Sequence, residues 1–332
     1  MATFQSYQLY FNGPVHLSDE RGDYGSSLRV LHSDTIYSAL IACLAEVGYP
    51  IPDDGDLKFT LTSLFPFFQK SKNDDPILFF PIPLGYEMPY AKFPDHRKQL
   101  KKVAWVDLIN YQRILNGEQV IRELRDVSKI QGEYLSDQDI DPDFIHDQVS
   151  RRVLVPRNNQ DPAEPFWMDR LFFKGSCGLH FLAVGEGTEI LEKALNVLKH
   201  QGIGTDRNVG NGVFEYEKNT IELDLPKSDH MTNLSLFCPA SPEELYRMMN
   251  TSDASYQLIR RGGWITTTPF NTLRKNSIHA FSVGSVFGFE TVAEPLIQGK
   301  IVNLRPETGF KDNLHPIWRD FKSLFIPINL TH

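Results

Sequence analysis

Cysteine is scarce in this chain of 332 residues. Cys43, Cys177 and Cys238 stand isolated, with no C-x-x-C spacing. That excludes a disulfide framework and a structural zinc site, and it fits a reducing compartment. An excess of positive charge is missing too, the net charge being -8. A protein that coats RNA by charge alone is basic, so a nucleic-acid site here has to be a local patch or one built jointly with partner subunits. Long apolar runs are absent. The greasiest stretch, ILFFPIPLG from Ile77, is broken by prolines and falls far short of the ~20 residues of a membrane span. The opening MATFQSYQLYF lacks a basic n-region and a small-residue cleavage site. These absences lead us to expect a cytoplasmic chain with no membrane partner. Carboxylates with metal-ligand spacing are also missing outside the acidic stretch 133–147. There Asp137, Asp139, Asp141 and Asp143 alternate, without the glycine and terminal glutamate of a calcium loop. No metal and no cofactor is expected.

What the chain does have is glycine in one place. Residues 202–212 read GIGTDRNVGNG, between an amphipathic helix and an alternating strand. Gly202, Gly204, Gly210 and Gly212 admit positive φ. A run of main-chain N–H groups beside Arg207 and Asn208 is a candidate cradle for phosphates. The competing reading is a helix C-cap at Gly202 followed by a loop and a bulge. The dinucleotide fingerprint does not fit, because Arg207 stands where a third glycine belongs and the helix precedes the loop. The Walker loop does not fit either, for want of Gly-Lys-Ser/Thr.

Around this loop the order of elements is regular. Residues 3–12 read as a strand ended by Gly13-Pro14, and a polar loop over 16–27 follows. A strong helix then opens with Ser33 as N-cap and Asp34 in its first turn, with Ile36, Ala39, Leu40, Cys43, Leu44 and Val47 on its buried stripe. Residues 59–68 and 77–84 read as strands, 171–184 as a hairpin turning at 175–178, and a second helix starts at a Thr188 cap. This β-α-β, insertion, β-α-β order predicts a split-βαβ, ferredoxin-like unit. A boundary falls in the polar stretch 226–232. Beyond it comes a strand, a helix from Ser241 with Pro242 at its first position, and further strands. The expected fold class is α+β, with two tandem ferredoxin-like (RRM-like) domains, 1–228 and 229–332. The first carries an insertion at about 85–160 that projects from the core and contains the basic run 92–102 with Lys101 and Lys102.

A second constellation lies at 260–264, RRGGW. Arg260 and Arg261 offer planar donors for phosphate, Gly262 and Gly263 permit close approach, and Trp264 can stack on a base. Arg274 and Lys275 follow in a polar loop and extend the patch. The other reading is a strand with surface arginines and a core tryptophan.

With these residues in view, the chain resembles the RAMP superfamily of CRISPR proteins, and most of all the fourth-subunit family of the Csm (type III-A) effector complex. LHSDTIYSAL from Leu31, SLFPFF from Ser63, FFPIPL from Phe79, the glycine loop, RRGGWI from Arg260 and FSVGSVF from Phe281 fall in the family's order across nearly the whole chain. Ile82, Thr205 and Val283 depart from it, standing where a lysine, a glycine and an acid are common. The resemblance implies a non-catalytic subunit that holds the single-stranded 5′ repeat handle of the guide RNA (crRNA). Its partners would be the large polymerase-like Csm subunit, a backbone RAMP subunit, and target RNA near the guide's 5′ end. The insertion would be a thumb along the RNA, and His32 and Ser33 would add an anion site at the first helix N-terminus. The alternative is a RAMP-type endoribonuclease processing precursor crRNA with His32 as acid or base. His16, His180, His200 and His279 are further candidates by residue type.

Overall fold

The structure, a computed structural model, describes residues 1–17, 24–155, 162–250, 253–307 and 314–330. The middle of the polar loop 16–27 and the end of the inserted segment lie outside the described residues. The fold is α+β and rich in strands. In the largest sheet the order from one edge is Phe214–Leu223, Ala2–Phe11, Gly178–Gly185, Phe65–Phe68 and Ile77–Pro81, with the short Phe59–Leu61 also on Gly178–Gly185. These strands pair antiparallel. Tyr7, Leu9, Leu179 and Phe181 are fully buried, so the central strands supply the hydrophobic face that the helices cover. The helices Ser33–Glu46 and Thr188–Gln201 pack against each other, and the second also lies on the strands beside it.

Both helices begin where expected, but their caps differ. His32, not Ser33, occupies the N-cap of the first. Ser33 is buried one position later, its Oγ accepting from the Leu236 N–H at 3.0 Å, while its own N–H donates to Ser63 Oγ. The hydroxyl is thus occupied by the C-terminal half, which a local capping pattern does not reveal. Gly187 rather than Thr188 caps the second helix. Tyr37 joins the buried stripe, donating to the Gly55 carbonyl and accepting from the Leu57 N–H, whereas Val47 is exposed.

The inserted segment divides in two. Leu100, Val106, Tyr111, Tyr134 and Phe144 belong to the same buried cluster as the main sheet, and the strand Trp105–Asp107 extends that sheet beside Ile77–Pro81. This part does not project. It showed no period because its buried residues sit on elements of two to eight residues. What projects is a two-stranded hairpin, Ile145–Leu154 with Glu164–Phe173, in continuous register from Ile145 opposite Phe173 to Leu154 opposite Glu164. The expected hairpin over 171–184 does not form. Its first arm pairs back with Ile145–Leu154, and its second enters the main sheet.

In the C-terminal half, Ser228–Asn233 lies between Val286–Val292 and Ser323–Pro327 in a four-stranded sheet. Ser241 caps Pro242–Met249, its side chain accepting from the Glu244 N–H. The polar stretch at 226–232 is therefore mostly strand. The two halves share a core, with Leu234, Val286, Leu324 and Ile326 in the cluster that holds the main sheet.

Candidate nucleic-acid interface

A cavity of about 790 Å³ opens between the two halves, within the roughly 300–1,000 Å³ of ligand-sized pockets. One wall is the first helix, with His32, Thr35 and Ala39, together with Gly202, Gly204 and Arg207 from the glycine loop. The other is C-terminal, with Arg261, Thr267, Lys275, His315 and Arg319. The fold thus brings together His32, Gly202, Gly204, Arg207, Arg261 and Lys275, which lie far apart in sequence.

The loop is built by its glycines. All four have φ between +71° and +91°. At Gly212 a Cβ would run into the Ile203 carbonyl oxygen, and the Ile203 N–H donates to the Gly212 carbonyl at 2.9 Å. The chain crosses itself there, and only glycine permits the approach. At Gly210 a Cβ would meet open space. Three of the four glycine amides are already engaged. The N–H groups of Gly202, Gly210 and Gly212 donate to the carbonyls of Leu198, Arg207 and Pro14, so the loop's own closure and its contact with the first strand's exit use them. Arg207 and Asn208 are exposed on one 3-10 turn. Asp206 before it has φ +60°, a conformation that Asp tolerates better than most residues. Its carboxylate is held by Arg152 of the projecting hairpin at 2.6 Å.

The two arginines of RRGGW part company. They sit on the strand Leu258–Arg261, opposite His279 and Ile278, and successive strand side chains point to opposite faces. Arg260 is exposed and donates to Ser277 Oγ at 3.2 Å. Arg261 turns inward to Asp34, with Nη2–Oδ1 3.1 Å and Nε–Oδ2 3.2 Å. A joint phosphate clamp by this pair is therefore not formed. Gly262 packs against Ser277. Trp264 is half-buried, bridged to Arg274, whose guanidinium lies 4.9 Å from the indole centre. One face of that ring already carries a cation.

Asp34 is the electrostatic centre. It is almost wholly buried and takes a second guanidinium, Arg319, at 3.1 Å. Arg319 also donates to the Asp34 carbonyl. Burial works against the carboxylate's charge, but Arg261 and Arg319 outweigh it and hold its pKa below the usual range. Burial, with Arg319 and Arg261 nearby, pushes the Lys275 ammonium down to about 7. Neighbouring Asp320 is buried and its carboxyl is pushed up to about 7, against the pull of Lys322.

Lys101 and Lys102 are exposed on the turn after Arg97–Leu100 and do not line the cavity. Among the histidines, His180 lies in the core with Nε2 2.8 Å from the Phe79 carbonyl, and burial lowers it to about 4. His16 is buried against the Asp169 carbonyl. Sequence reasoning missed Arg319 and His315. Arg319 lies 285 positions from Asp34, and no local motif signals that pairing.

Residues 226–328 match the family model of the CRISPR Csm4 C-terminal domain. The CRISPR system Cms protein Csm4 of Streptococcus thermophilus is 23% identical over 98% of this chain and all of that protein. The protein of the same name from Thermococcus onnurineus is 31% identical over 34% of this chain and 36% of its own length. Among solved structures, a Csm1-Csm4 cassette in complex with cA4 superposes with a TM-score of 0.58 at 15% identity over the full length of both chains. A Csm3-Csm4 subcomplex of a type III-A interference complex gives 0.57 at 15% identity, covering 99% of this chain and all of that one.

Proposed function

We propose that this chain, a member of the RAMP-type Csm4 family, is the guide-RNA-binding subunit at the handle end of a type III-A (Csm) effector complex. It holds the single-stranded 5′ repeat handle of the crRNA and docks on the large polymerase-like subunit and on a backbone subunit, near the target RNA that pairs with the guide. The solved relatives assemble in those two ways, as a Csm1-Csm4 cassette and a Csm3-Csm4 subcomplex. We read the chain as two ferredoxin-like domains, 1–228 and 229–332. The sheet order Phe214–Leu223, Ala2–Phe11, Gly178–Gly185, Phe59–Leu61 with two helices packed together supports that reading for the first.

One observation carries the RNA reading. The cavity between the halves gathers Arg207, Arg261, Lys275 and Arg319 with His32 at the N-cap of the first helix. It is a cationic recess in a protein of net charge -8, with the apolar side chains of Leu31 and Ala39 on its lining. Phosphates bind the cations, and a splayed base packs on the apolar wall. Arg260, Trp264 and Arg274 lie outside the cavity lining and are read as a further RNA-contacting surface. Asn208 extends it from the loop, and Gly210 leaves room there for close approach of a strand. Lys101 and Lys102 make a separate basic surface, and the hairpin Ile145–Leu154 with Glu164–Phe173 is the thumb. The subunit acts by holding, not cutting.

The test is retention of RNA by the assembled complex. Arg207→Ala weakens it by roughly 1.5–3 kcal/mol, as expected for one charge-assisted contact, while the proteins stay assembled. Undiminished RNA in both Arg207→Ala and Arg260→Ala complexes contradicts the groove. His32→Ala, assayed on precursor RNA, addresses cleavage: loss of a processing activity present in the parent would replace this reading with the nuclease one.

A further inference from the structure

Two cationic groups on the C-terminal wall of the cavity are left over once its internal pairing is complete. Asp34 accepts from Arg261 through Nε and Nη2 and from Arg319 through Nη1. Arg319 is only 8% exposed, yet its own Nε has no acceptor. A buried donor without a partner carries the full penalty of its desolvation. Lys275 lines the same wall. Its backbone is fixed by its N–H donating to the Gly263 carbonyl at 2.9 Å, and among the described residues its ammonium has neither a carboxylate nor a hydrogen-bond acceptor. Asp53 is the one carboxylate on the lining itself, with Asp34 beneath, against Arg207, Arg261, Lys275 and Arg319. With Lys275 protonated, the four cations exceed the two carboxylates by two charges.

We propose that Lys275, beside the Arg319 guanidinium, forms a proton-coupled anion subsite that takes one phosphate group of the ligand in the cavity. This rests on the reading of the cavity as the guide-RNA site. Arg207 stands on the opposite wall, so a ligand with successive phosphates spans the two, as a single-stranded nucleic acid does. The groups facing Lys275 are Asp34, Arg261 and Arg319, with His32, His315 and Asp53 on the surrounding lining. Burial, with the Arg319 and Arg261 guanidiniums and against the pull of Asp34, lowers the Lys275 ammonium to about 7. A phosphate placed there favours the charged form and raises that value. Binding therefore takes up a proton. Affinity is full at low pH and falls as pH rises through about 7.

The experiment measures binding of a short single-stranded oligoribonucleotide to the full chain, in complex with the subunits that co-purify with it, between pH 6 and pH 8.5. Two buffers of different ionisation enthalpy report proton uptake, and inorganic phosphate serves as a competitor. The wild type is expected to bind about tenfold more weakly at the upper pH, with net proton uptake. Lys275→Arg, charged throughout, is expected to keep the affinity and lose most of the pH slope. The contribution of the other lining groups, His32 and His315 among them, survives in this variant. Lys275→Met is expected to bind weakly at pH 6. Melting curves establish that both variants fold. Competition by inorganic phosphate that Lys275→Met abolishes would show that a free phosphate group suffices. Proton uptake on RNA binding without such competition would assign the subsite to a phosphodiester of the strand. Wild-type affinity in Lys275→Met at pH 6, or an unchanged pH slope in Lys275→Arg, overturns the proposal. If Arg207→Ala still weakens binding in that case, the subsite fails and the RNA reading stands. If neither variant changes binding, the RNA reading fails as well.

Discussion

At the scale of single residues, the most consequential side chain is Asp34. Removing it leaves Arg261 and Arg319 buried without a counter-charge. Breaking a buried ion pair in this way costs about 3–5 kcal/mol, so Asp34→Ala is expected to lower the denaturant midpoint strongly. A change within experimental error would mean that the triad is not closed in solution. Asp320 gives the opposite case. Its folded pKa, about 7, lies above the ordinary carboxylate value, so the native state binds the extra proton between roughly pH 4 and 7. Stability from this group is present at low pH and is lost as pH rises through about 7. Asp320→Asn is expected to raise the melting temperature at pH 8 and to change it less at pH 5; equal shifts at both would contradict the assignment. Residue roles were the least legible part of the sequence. Arg260 and Arg261 read as a pair by adjacency, but strand alternation sends one to solvent and the other to Asp34. Asp34 read as a first-turn acid, while its main partners come from strands over 220 positions away.

At the scale of elements, the glycine loop and the hairpin carry the testable content. Gly212→Ala places a Cβ against the Ile203 carbonyl at φ +71°. It is expected to destabilise the protein by well over the ~1–2 kcal/mol of an unfavourable φ alone. Gly210→Ala, at φ +87° in open space, is expected to cost about that amount and to fold. Comparable melting temperatures for the two would show that the self-crossing of the loop does not matter. Arg152 ties the hairpin to Asp206, but both side chains are about a third exposed. Arg152→Ala should therefore cost at most about 1 kcal/mol globally while increasing amide exchange at 206–210. Uniform exchange across the chain would contradict that local role. The periodic elements were legible: both long helices and the first strand stand where hydrophobic spacing placed them, and the helix after Ser241 stands where its cap and Pro242 placed it. The segment 93–145 was not, because its buried aromatics sit on short strands and turns that leave no period. The arms of the 171–184 stretch were legible as strands but not in their pairing, since register partners are set by the whole sheet.

At the scale of the whole molecule, the halves are joined through a common core and a ring of polar ties. Ser33 bonds the Leu236 N–H, Ser235 donates to the Leu61 carbonyl, and Lys322 pairs with Asp56 at 2.8 Å. The cavity lies at this junction, so its shape depends on both halves being docked. That accounts for an acidic chain with a cationic recess. The surface at large need not attract RNA if one groove holds a single strand and partner subunits cover the rest. The measurement that bears most directly on this is ultraviolet cross-linking of the complex purified from its host, with cross-linked peptides and RNA both sequenced. The expected result is repeat-derived 5′ ends of short guides attached to peptides from 202–212 and 260–275, in a complex that contains a large polymerase-like subunit. No co-purifying RNA, or cross-links confined to the turn at Lys101 and Lys102 with none at the cavity, would contradict it.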